Sequence, residues 1–306
     1  MSKRGAQKMS NYTIGVDLGG TNVRVALVDL EGTIIKEVNQ PTEAAKGPDY
    51  VINKMIAMIA EITENESVSS VGIGSPGPLD PRTGVIIEPP NLPGWRNIPL
   101  VELIKKETGL QVVLDNDANS AALAESRVGA GKGYESVYYL TISTGVGGGF
   151  VINGNIYLGA QGYAGEVANM IVQPNGKKHS NLNPGALEGL ASGTAITREG
   201  RERLGITGGA EEVFKLAAEG NSEAQFIIDE AVTYLAIGIA NLAHSVNPDI
   251  FILGGGVMKS EKQFLEPLRQ KVKSFVYEGL KEHIKIVPAA LGTKAGIVGA
   301  ALLPRQ

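Results

Sequence analysis

The sequence predicts an α/β protein made of two similar halves, and three observations support that fold class. β-Rich runs joined by short turns are followed by alternating helical and strand-like segments, and this order occurs twice along the chain. A glycine-rich turn follows a hydrophobic strand in each half, at residues 17–21 and 143–149. The 306 residues, of which 43% are hydrophobic, are enough for two domains with large buried cores.

The first half begins with a meander of three strands, because short turns separate its β-rich runs. Apolar residues at helical spacing then predict a helix that leads into a fourth strand, and a second helix–strand pair follows. The predicted strands are 12–17, 23–29, 33–38, 70–73 and 111–114, and the predicted helices are 50–63, 98–108 and 118–127.

The second half repeats the pattern, and its long helix is apolar nearly all round, which is typical of a buried core helix. Its predicted strands are 136–142, 149–152, 250–253 and 284–287, and its predicted helices are 194–204, 210–218, 222–246, 260–277 and 294–303. We therefore predict a smaller N-terminal domain of residues 1–118 and 293–306, and a larger C-terminal domain of residues 119–292.

The composition excludes several classes of protein. A net charge of −4 gives no electrostatic reason to expect nucleic-acid or membrane partners. The absence of cysteine excludes disulfides and thiolate chemistry, and three histidines make a histidine-rich metal site improbable. Residues 1–10 have no apolar core, so they predict an unstructured leader, with Met9 as an alternative start. No apolar run reaches the ~18–20 residues of a membrane span, and we expect a soluble cytoplasmic protein.

The two glycine-rich turns predict a nucleotide site. A turn between strands directs backbone N–H groups outward, and glycine lets a phosphate approach without interference from a Cβ. The first turn carries Asp17, Gly19, Gly20 and Thr21, and the second carries Thr144 and Gly145. An ordinary hairpin is the alternative for the first turn alone. No Gly-x4-Gly-Lys-Ser/Thr motif occurs, so this is not a P-loop. We expect Asp17 to hold a hydrated Mg²⁺.

A third glycine cluster, residues 254–256, directly follows an apolar strand and favours a nucleotide contact over a plain loop. Asp117 is the candidate catalytic carboxylate, because it lies where a strand ends and a helix begins, a position where open α/β folds place groups that contact ligands. Helix N-capping is the alternative, at about 1 kcal/mol. However, Asp115, Asn116 and Asn119 surround it, and one cap does not need four polar side chains. We expect Asp115 to be structural.

Weaker signals come from a stiff Gly-Pro loop and from two glutamates. The loop at residues 72–79 includes Gly74 and, together with Asn91, offers polar groups to a polyol, although a structural turn explains its prolines equally well. Glu166 and Glu188 have close glycine neighbours, and a surface glutamate is the usual alternative for each of them.

Taken together, these motifs resemble the sugar kinases of the ROK family (repressor, open reading frame, kinase), from about residue 12 to the end. The resemblance implies an actin-like ATPase (ribonuclease H-like) fold with a cleft between two βββαβα halves. It also implies Asp117 as the general base. The implied sugar-binding residues are Gly74, Asn91, Asn116, Asp117, Glu166, Asn169 and Glu188. The implied nucleotide-binding residues are Asp17, Gly19, Gly20, Thr21, Thr144, Gly145, Gly193, Gly255 and Gly256.

One departure from the family pattern concerns zinc. The family carries a Glu-x-Gly-His motif and then a loop with three cysteines, whereas here Asn169 stands at the histidine position. His179, Asn181 and Ala186 stand at the cysteine positions. Because structural Zn²⁺ requires four thiolate or imidazole ligands, we predict no zinc.

The resemblance implies an ATP- and Mg²⁺-dependent hexokinase that converts glucose to glucose 6-phosphate, acting as a homodimer or higher homo-oligomer. Fructose, mannose or an N-acetylhexosamine stay open as substrates. A non-catalytic sugar sensor or repressor is the alternative from another class. About eleven residues precede the first predicted strand, too few for the helix-turn-helix of such repressors.

Overall fold

The computed structural model describes residues 11–306, so the predicted leader and the alternative start at Met9 lie outside the described residues. The chain forms two compact units. Unit 1 runs to Ala124 and takes in Thr293–Gln306, and unit 2 is Glu125–Gly292.

Within the described residues, the strands are β1 (Tyr12–Leu18), β2 (Asn22–Val28), β3 (Ile34–Pro41), β4 (Val68–Ser75), β5 (Leu79–Asp80), β6 (Val85–Ile86), β7 (Gln111–Asn116), β8 (Ser136–Ile142), β9 (Val146–Ile152), β10 (Asn155–Ile156), β11 (Ile250–Gly254) and β12 (Ile286–Pro288). The α-helices are α1 (Pro48–Ile62), α2 (Leu100–Thr108), α3 (Asp117–Val128), α4 (Leu187–Ala191), α5 (Gly193–Leu204), α6 (Ala210–Ala218), α7 (Ser222–Ser245), α8 (Glu261–Phe275) and α9 (Ala295–Leu302).

Unit 1 is built on a five-stranded sheet in the order β3-β2-β1-β4-β7. The first three strands are antiparallel, and β4 and β7 run parallel to β1. Successive side chains of a strand point to opposite faces, so Ile14, Val16 and Leu18 enter a core that also contains buried residues of α1 and α2. On the other face, Gly15 allows α9 to approach, because a Cβ there would overlap the Ile297 oxygen.

Unit 2 is built on a second five-stranded sheet, in the order β10-β9-β8-β11-β12. Strands β8, β9 and β10 are antiparallel, whereas β11 and β12 run parallel to β8. Its core combines strand residues such as Phe251 with Leu235 of α7 and Phe264 of α8. Both sheets therefore have a meander followed by two parallel strands, and the predicted α/β fold class is confirmed.

Helix α7 is long and apolar enough to cross a membrane by length and composition, contrary to the expectation that no run would be. However, 61% of its most apolar window is buried inside the protein. Its buried side chains, such as Ile228, Leu235 and Ile239, belong to the core of unit 2. Helix α7 is therefore a core helix of unit 2, as predicted.

The main difference from the predicted elements concerns β9, which begins at Val146 rather than at residue 149. Three of the glycines thus lie in a strand and not in a turn. A Cβ on Gly148 would lie 2.6 Å from the Gly165 oxygen, so this glycine leaves room for the segment before Glu166. Its role is close packing within unit 2 rather than space for a phosphate.

Candidate functional site

The carboxyl ends of three parallel strands bring several candidate residues of unit 1 together. Asp17 of β1 is in register with Gly74 of β4, which in turn pairs with Asp115 of β7. Asn116 follows on β7, and Asp117 is the first residue of α3. Polar groups at this edge are placed where open α/β sheets bind ligands.

Asp117 is exposed, and its Oδ1 accepts a hydrogen bond of 2.8 Å from the Ala118 amide. The Asn116 side chain accepts from the same amide, also at 2.8 Å. A local capping bond is therefore present, but a carboxylate keeps acceptor capacity beyond one such bond. Its exposure leaves Asp117 accessible to a substrate hydroxyl.

Asp115 has a different environment, because it is only 4% exposed. One carboxyl oxygen accepts from the Asn116 amide at 2.7 Å and from Nδ2 of Asn119 at 2.8 Å. Burial raises the pKa of Asp115 to about 6, although these two hydrogen bonds oppose the rise. The group holds the turn between β7 and α3 in place.

The first glycine-rich turn lies beside Asn91. A Cβ on Gly20 would lie 2.7 Å from the Asn91 oxygen, so the glycine is required for this approach. The turn is further held by Thr42, whose hydroxyl donates to the Gly19 oxygen at 2.6 Å. Thr21 is exposed at the tip of this turn.

Asp17 forms an ion pair with Arg24 on the neighbouring strand, through its Oδ2. The first turn of α9 is also close, since a Cβ on Gly296 would lie 3.2 Å from that oxygen. The guanidinium of Arg24 thus already neutralises much of the charge of this carboxylate.

In unit 2, a cavity of about 950 Å³ contains several candidate nucleotide residues. Thr144, Gly193 and Gly256 line it, whereas Gly145 and Gly255 are not lining residues and are next to Thr144 and Gly256 in the chain. Gly255 has a φ of +91°, and a Cβ there would overlap the Ile142 oxygen. Its backbone conformation and its close approach both demand glycine. The volume is suitable for a nucleotide.

The cavity also has walls that the sequence reasoning missed. Helix α5 begins at it, and the Ser192 side chain caps this helix by accepting from the Ala195 amide at 3.1 Å. A helix N-terminus attracts anions. The further lining residues are Ser143, Thr194, Thr197, Arg198, Arg201, Glu202, Gly209, Ala210, Glu211, Phe214, Val257, Lys259 and Ser260. In the sequence, the two closely spaced arginines Arg198 and Arg201 were the available sign of an anion-binding wall.

In unit 2, the negative charge of Glu188 acts on the carboxyl group of Glu166. Oε2 of Glu188 accepts from the Val146 amide at 2.9 Å, and a Cβ on Gly145 would overlap this oxygen. Although Glu166 is exposed as a residue, partial desolvation of its carboxyl raises its pKa, and the negative charge of Glu188 raises it further. The Asn169 side chain accepts from the Asn183 amide at 2.6 Å and so joins the following loop to this region.

Comparison with known proteins gives the family. A model of the ROK family matches residues 13–306. This chain belongs to the ROK family. The predicted resemblance is thus confirmed.

Similar ROK proteins have names that refer to sugar phosphorylation. A glucokinase of Thermotoga maritima is 36% identical, over 96% of this chain and 97% of the relative. The crystal structure of a ROK hexokinase from Thermus thermophilus superposes with a TM-score of 0.89 at 34% identity, covering 95% of this chain and 97% of that one. A ROK family glucokinase from Streptomyces griseus, in complex with glucose and AMPPNP, has a TM-score of 0.80 at 33% identity, covering 96% and 99%.

The zinc loop expected in a ROK protein has no fitting ligand set here. His179 packs its ring against Gly189, and burial and the nearby Arg198 lower its pKa. Among the described residues, no group of three or more histidine, aspartate or glutamate side chains is arranged to hold a metal ion. Backbone hydrogen bonds connect the loop instead, including those from Val172 and Gln173 to the Gly185 oxygen.

Proposed function

We propose that this ROK protein is an ATP-dependent hexokinase and that glucose is its preferred acceptor. The observation that carries the proposal is the exposed Asp117 at the carboxyl ends of the parallel strands of unit 1, beside Asn116. Relatives named glucokinase, 31–36% identical over nearly the whole chain, support this activity.

The chemistry assigned to Asp117 is removal of a proton from the acceptor hydroxyl. As the O–H proton moves to the carboxylate, the hydroxyl oxygen forms a bond to the γ-phosphorus and the bond to the bridging oxygen of ADP breaks. Such a transfer has a loose transition state, so the protein acts mainly by positioning and by stabilising charge. Asn116 is the adjacent group that orients the acceptor.

We assign the nucleotide to the 950 Å³ cavity of unit 2. Thr194 at the N-terminus of α5 and the Thr144 turn supply N–H and hydroxyl donors for phosphate, whereas the Gly193 amide donates to the Ser143 oxygen; Arg198, Arg201 and Lys259 supply positive charge. Mg²⁺, when bound, neutralises charge on the phosphates, and Asp17 would hold it through water.

Glu166 and Glu188 are assigned to sugar hydroxyls, as hydrogen-bond acceptors. Glu188 is held by the Val146 amide, so its orientation is fixed before a sugar binds. Asn169 stands at the histidine position of the family pattern, and its Oδ1 already accepts from Asn183, which leaves the Nδ2 side to donate to a hydroxyl. This difference bears on sugar preference more than on reaction type.

The test is a panel of glucose, mannose, fructose, N-acetylglucosamine and N-acetylmannosamine, each with ATP and Mg²⁺. ADP release is coupled to an indicator reaction, and the phosphorylated position is identified by NMR. We expect the highest kcat/KM for glucose, with phosphate on the 6-hydroxyl. ADP release that no sugar accelerates would contradict the proposal.

Relatives named xylose repressors also match, over 76% of their own length. The panel separates a sugar sensor from a kinase, because a sensor would bind a sugar without turnover. We further propose a cytoplasmic homo-oligomer that binds neither nucleic acid nor membrane.

A further inference from the structure

Glu125 is a completely buried carboxylate to which the proposed chemistry gives no role. It is the first residue of unit 2, and the chain leaves unit 2 again after Gly292. Glu125 therefore stands at one of the two points where the chain passes between the units.

The carboxylate of Glu125 accepts hydrogen bonds from backbone amides near both of these points. Oε2 accepts from the Ala130 amide at 2.9 Å and from the Ala290 amide at 3.1 Å. Oε1 accepts from the Leu291 amide at 2.8 Å. Three N–H donors thus satisfy a buried charge, and two of them lie about 165 positions away along the chain.

Gly129 makes room for this arrangement, since a Cβ there would overlap Oε2 of Glu125. On the other side, Ala289 donates to the Leu253 oxygen at 2.8 Å, which joins the segment to β11 and hence to the strand before Gly255. The carboxylate is therefore attached to the sheet of unit 2 that leads into the nucleotide cavity.

Helix α3 carries both Glu125 and Asp117, about 12 Å apart along its axis. The part of α3 in unit 1 is held tightly, because a Cβ on Gly299 of α9 would overlap the Ser120 carbonyl. The part in unit 2 is held by Glu125 and by Arg127, whose Nε donates to the Gly154 oxygen at 2.7 Å. Each end of α3 is thus held by contacts within its own unit.

We propose that Glu125 is a positioning residue for phosphoryl transfer: by holding the unit 2 end of α3 to the exit segment, it orients the helix whose first residue is Asp117. This inference rests on the proposed role of Asp117. Glu125 contacts no substrate and acts through α3.

The test compares Glu125→Gln, Glu125→Asp and the wild type for kcat, for KM of glucose and of ATP, and for Tm. Glutamine has nearly the same shape, but its NH₂ group is a donor. It cannot accept the backbone hydrogen bonds that one of the two carboxyl oxygens of Glu125 accepts. We expect kcat to fall at least tenfold in Glu125→Gln at a temperature where it is folded, while both KM values change less than threefold. Glu125→Asp keeps the charge on a shorter stem and should recover part of the turnover.

Asp249→Asn is the matched control, because Asp249 also accepts a backbone hydrogen bond within unit 2, from the Ser136 amide at 2.9 Å. That bond lies at the opposite end of β8 and β11 from the glycine turns, so the variant should lose Tm without losing kcat. If Glu125→Gln fails to fold, the kcat of Glu125→Asp relative to wild type is used instead to test the positioning role.

A folded Glu125 variant that loses Tm but keeps kcat within twofold of wild type would overturn the inference and leave Glu125 a purely structural residue. Failure of the proposed function is distinguishable, because the wild type would then show no sugar-dependent ADP release, or Asp117→Ala would keep its turnover.

Discussion

At the residue scale, two carboxylates two positions apart have opposite environments. Asp115 is buried and accepts from Asn116 and Asn119, whereas Asp117 is exposed on the first turn of α3. Burial disfavours the charged form of a carboxyl group, as it does at Asp115. Asp115 therefore fits a structural role, and the proposed chemistry is assigned to the exposed Asp117.

Replacing Asp117 by alanine should lower kcat by about 10²–10⁴-fold, the usual contribution of a positioned general base. Because the side chain is exposed, Tm should change little. Steady-state kinetics and thermal unfolding check both points. Asp49→Ala is the matched control, since Asp49 is also exposed in the first turn of a unit 1 helix. Near wild-type turnover in Asp117→Ala would contradict the assignment of Asp117 as the general base.

Replacing Asp115 by asparagine should change how stability depends on pH. The pKa of Asp115 in the folded protein, about 6, lies above the ordinary 3.8, so its protonation stabilises the fold below 3.8 and this stabilisation is lost as pH rises through 6. Asparagine keeps an acceptor for both donors and does not titrate.

Urea unfolding of both proteins between pH 4 and pH 8 measures the effect of this substitution. The free energy of unfolding of Asp115→Asn, minus that of the wild type, should rise by about 2 kcal/mol across this range. A difference that is independent of pH would show that Asp115 keeps an ordinary pKa.

Residue spacing alone identified Asp17, Asp117 and the glycine turns as candidates, because their chemistry depends on local sequence. It did not identify Glu125, whose partners Ala290 and Leu291 are distant in the chain. Nor could it show that Asp17 is paired with Arg24, since that contact depends on strand register.

At the scale of elements, the boundaries follow hydrophobic periodicity where elements are long. Helix α7 and strand β8 agree with their predicted ranges to within a residue. Helix α4 has five residues and β5 has two, too few for a periodic signal, so both were missed. Strand β9 has three glycines directly after its first residue, Val146, and glycine has low strand propensity, but packing against Gly165 overrides that preference.

The turn between β11 and the nucleotide cavity gives a prediction at this scale. Gly255→Ala would combine a positive φ with overlap of the Ile142 oxygen, and so displace the cavity wall at Gly256. We expect the KM for ATP to rise at least tenfold and the KM for glucose to change little. Initial-rate kinetics at saturating co-substrate measures both.

Gly109→Ala is the control for this prediction. Gly109 also has a positive φ, of +70°, but a Cβ there meets nothing within 4 Å. The substitution should cost about 1–2 kcal/mol of stability through backbone strain and leave the KM for ATP unchanged. An equal effect of the two variants on that KM would show that strain alone, not the cavity wall, is responsible.

At the scale of the whole molecule, stability depends on two hydrophobic cores, one in each unit. The loop that follows Asn169 is held by backbone bonds and by the Asn169–Asn183 hydrogen bond. Its histidine packs against Gly189 and has no set of further ligands around it. We therefore expect the folding of this loop not to depend on a metal ion.

Treatment with a zinc chelator should leave Tm unchanged, and metal analysis of the purified protein should find far less than one zinc per chain. Thermal unfolding with and without the chelator checks the first point. Activity should nevertheless disappear when Mg²⁺ is removed and return when it is added back. A Tm that drops with the chelator and recovers with Zn²⁺ would contradict this account of the loop.

The placement of α9 also governs the order in which the protein can be made. The first strands of unit 1 precede unit 2 in the chain, but their sheet is covered on one face by α9, which follows unit 2. On the ribosome, the whole of unit 2 is translated while that face of unit 1 still lacks its helix. Unit 2 can thus fold first, while the early strands of unit 1 stay incompletely covered until α9 has been translated.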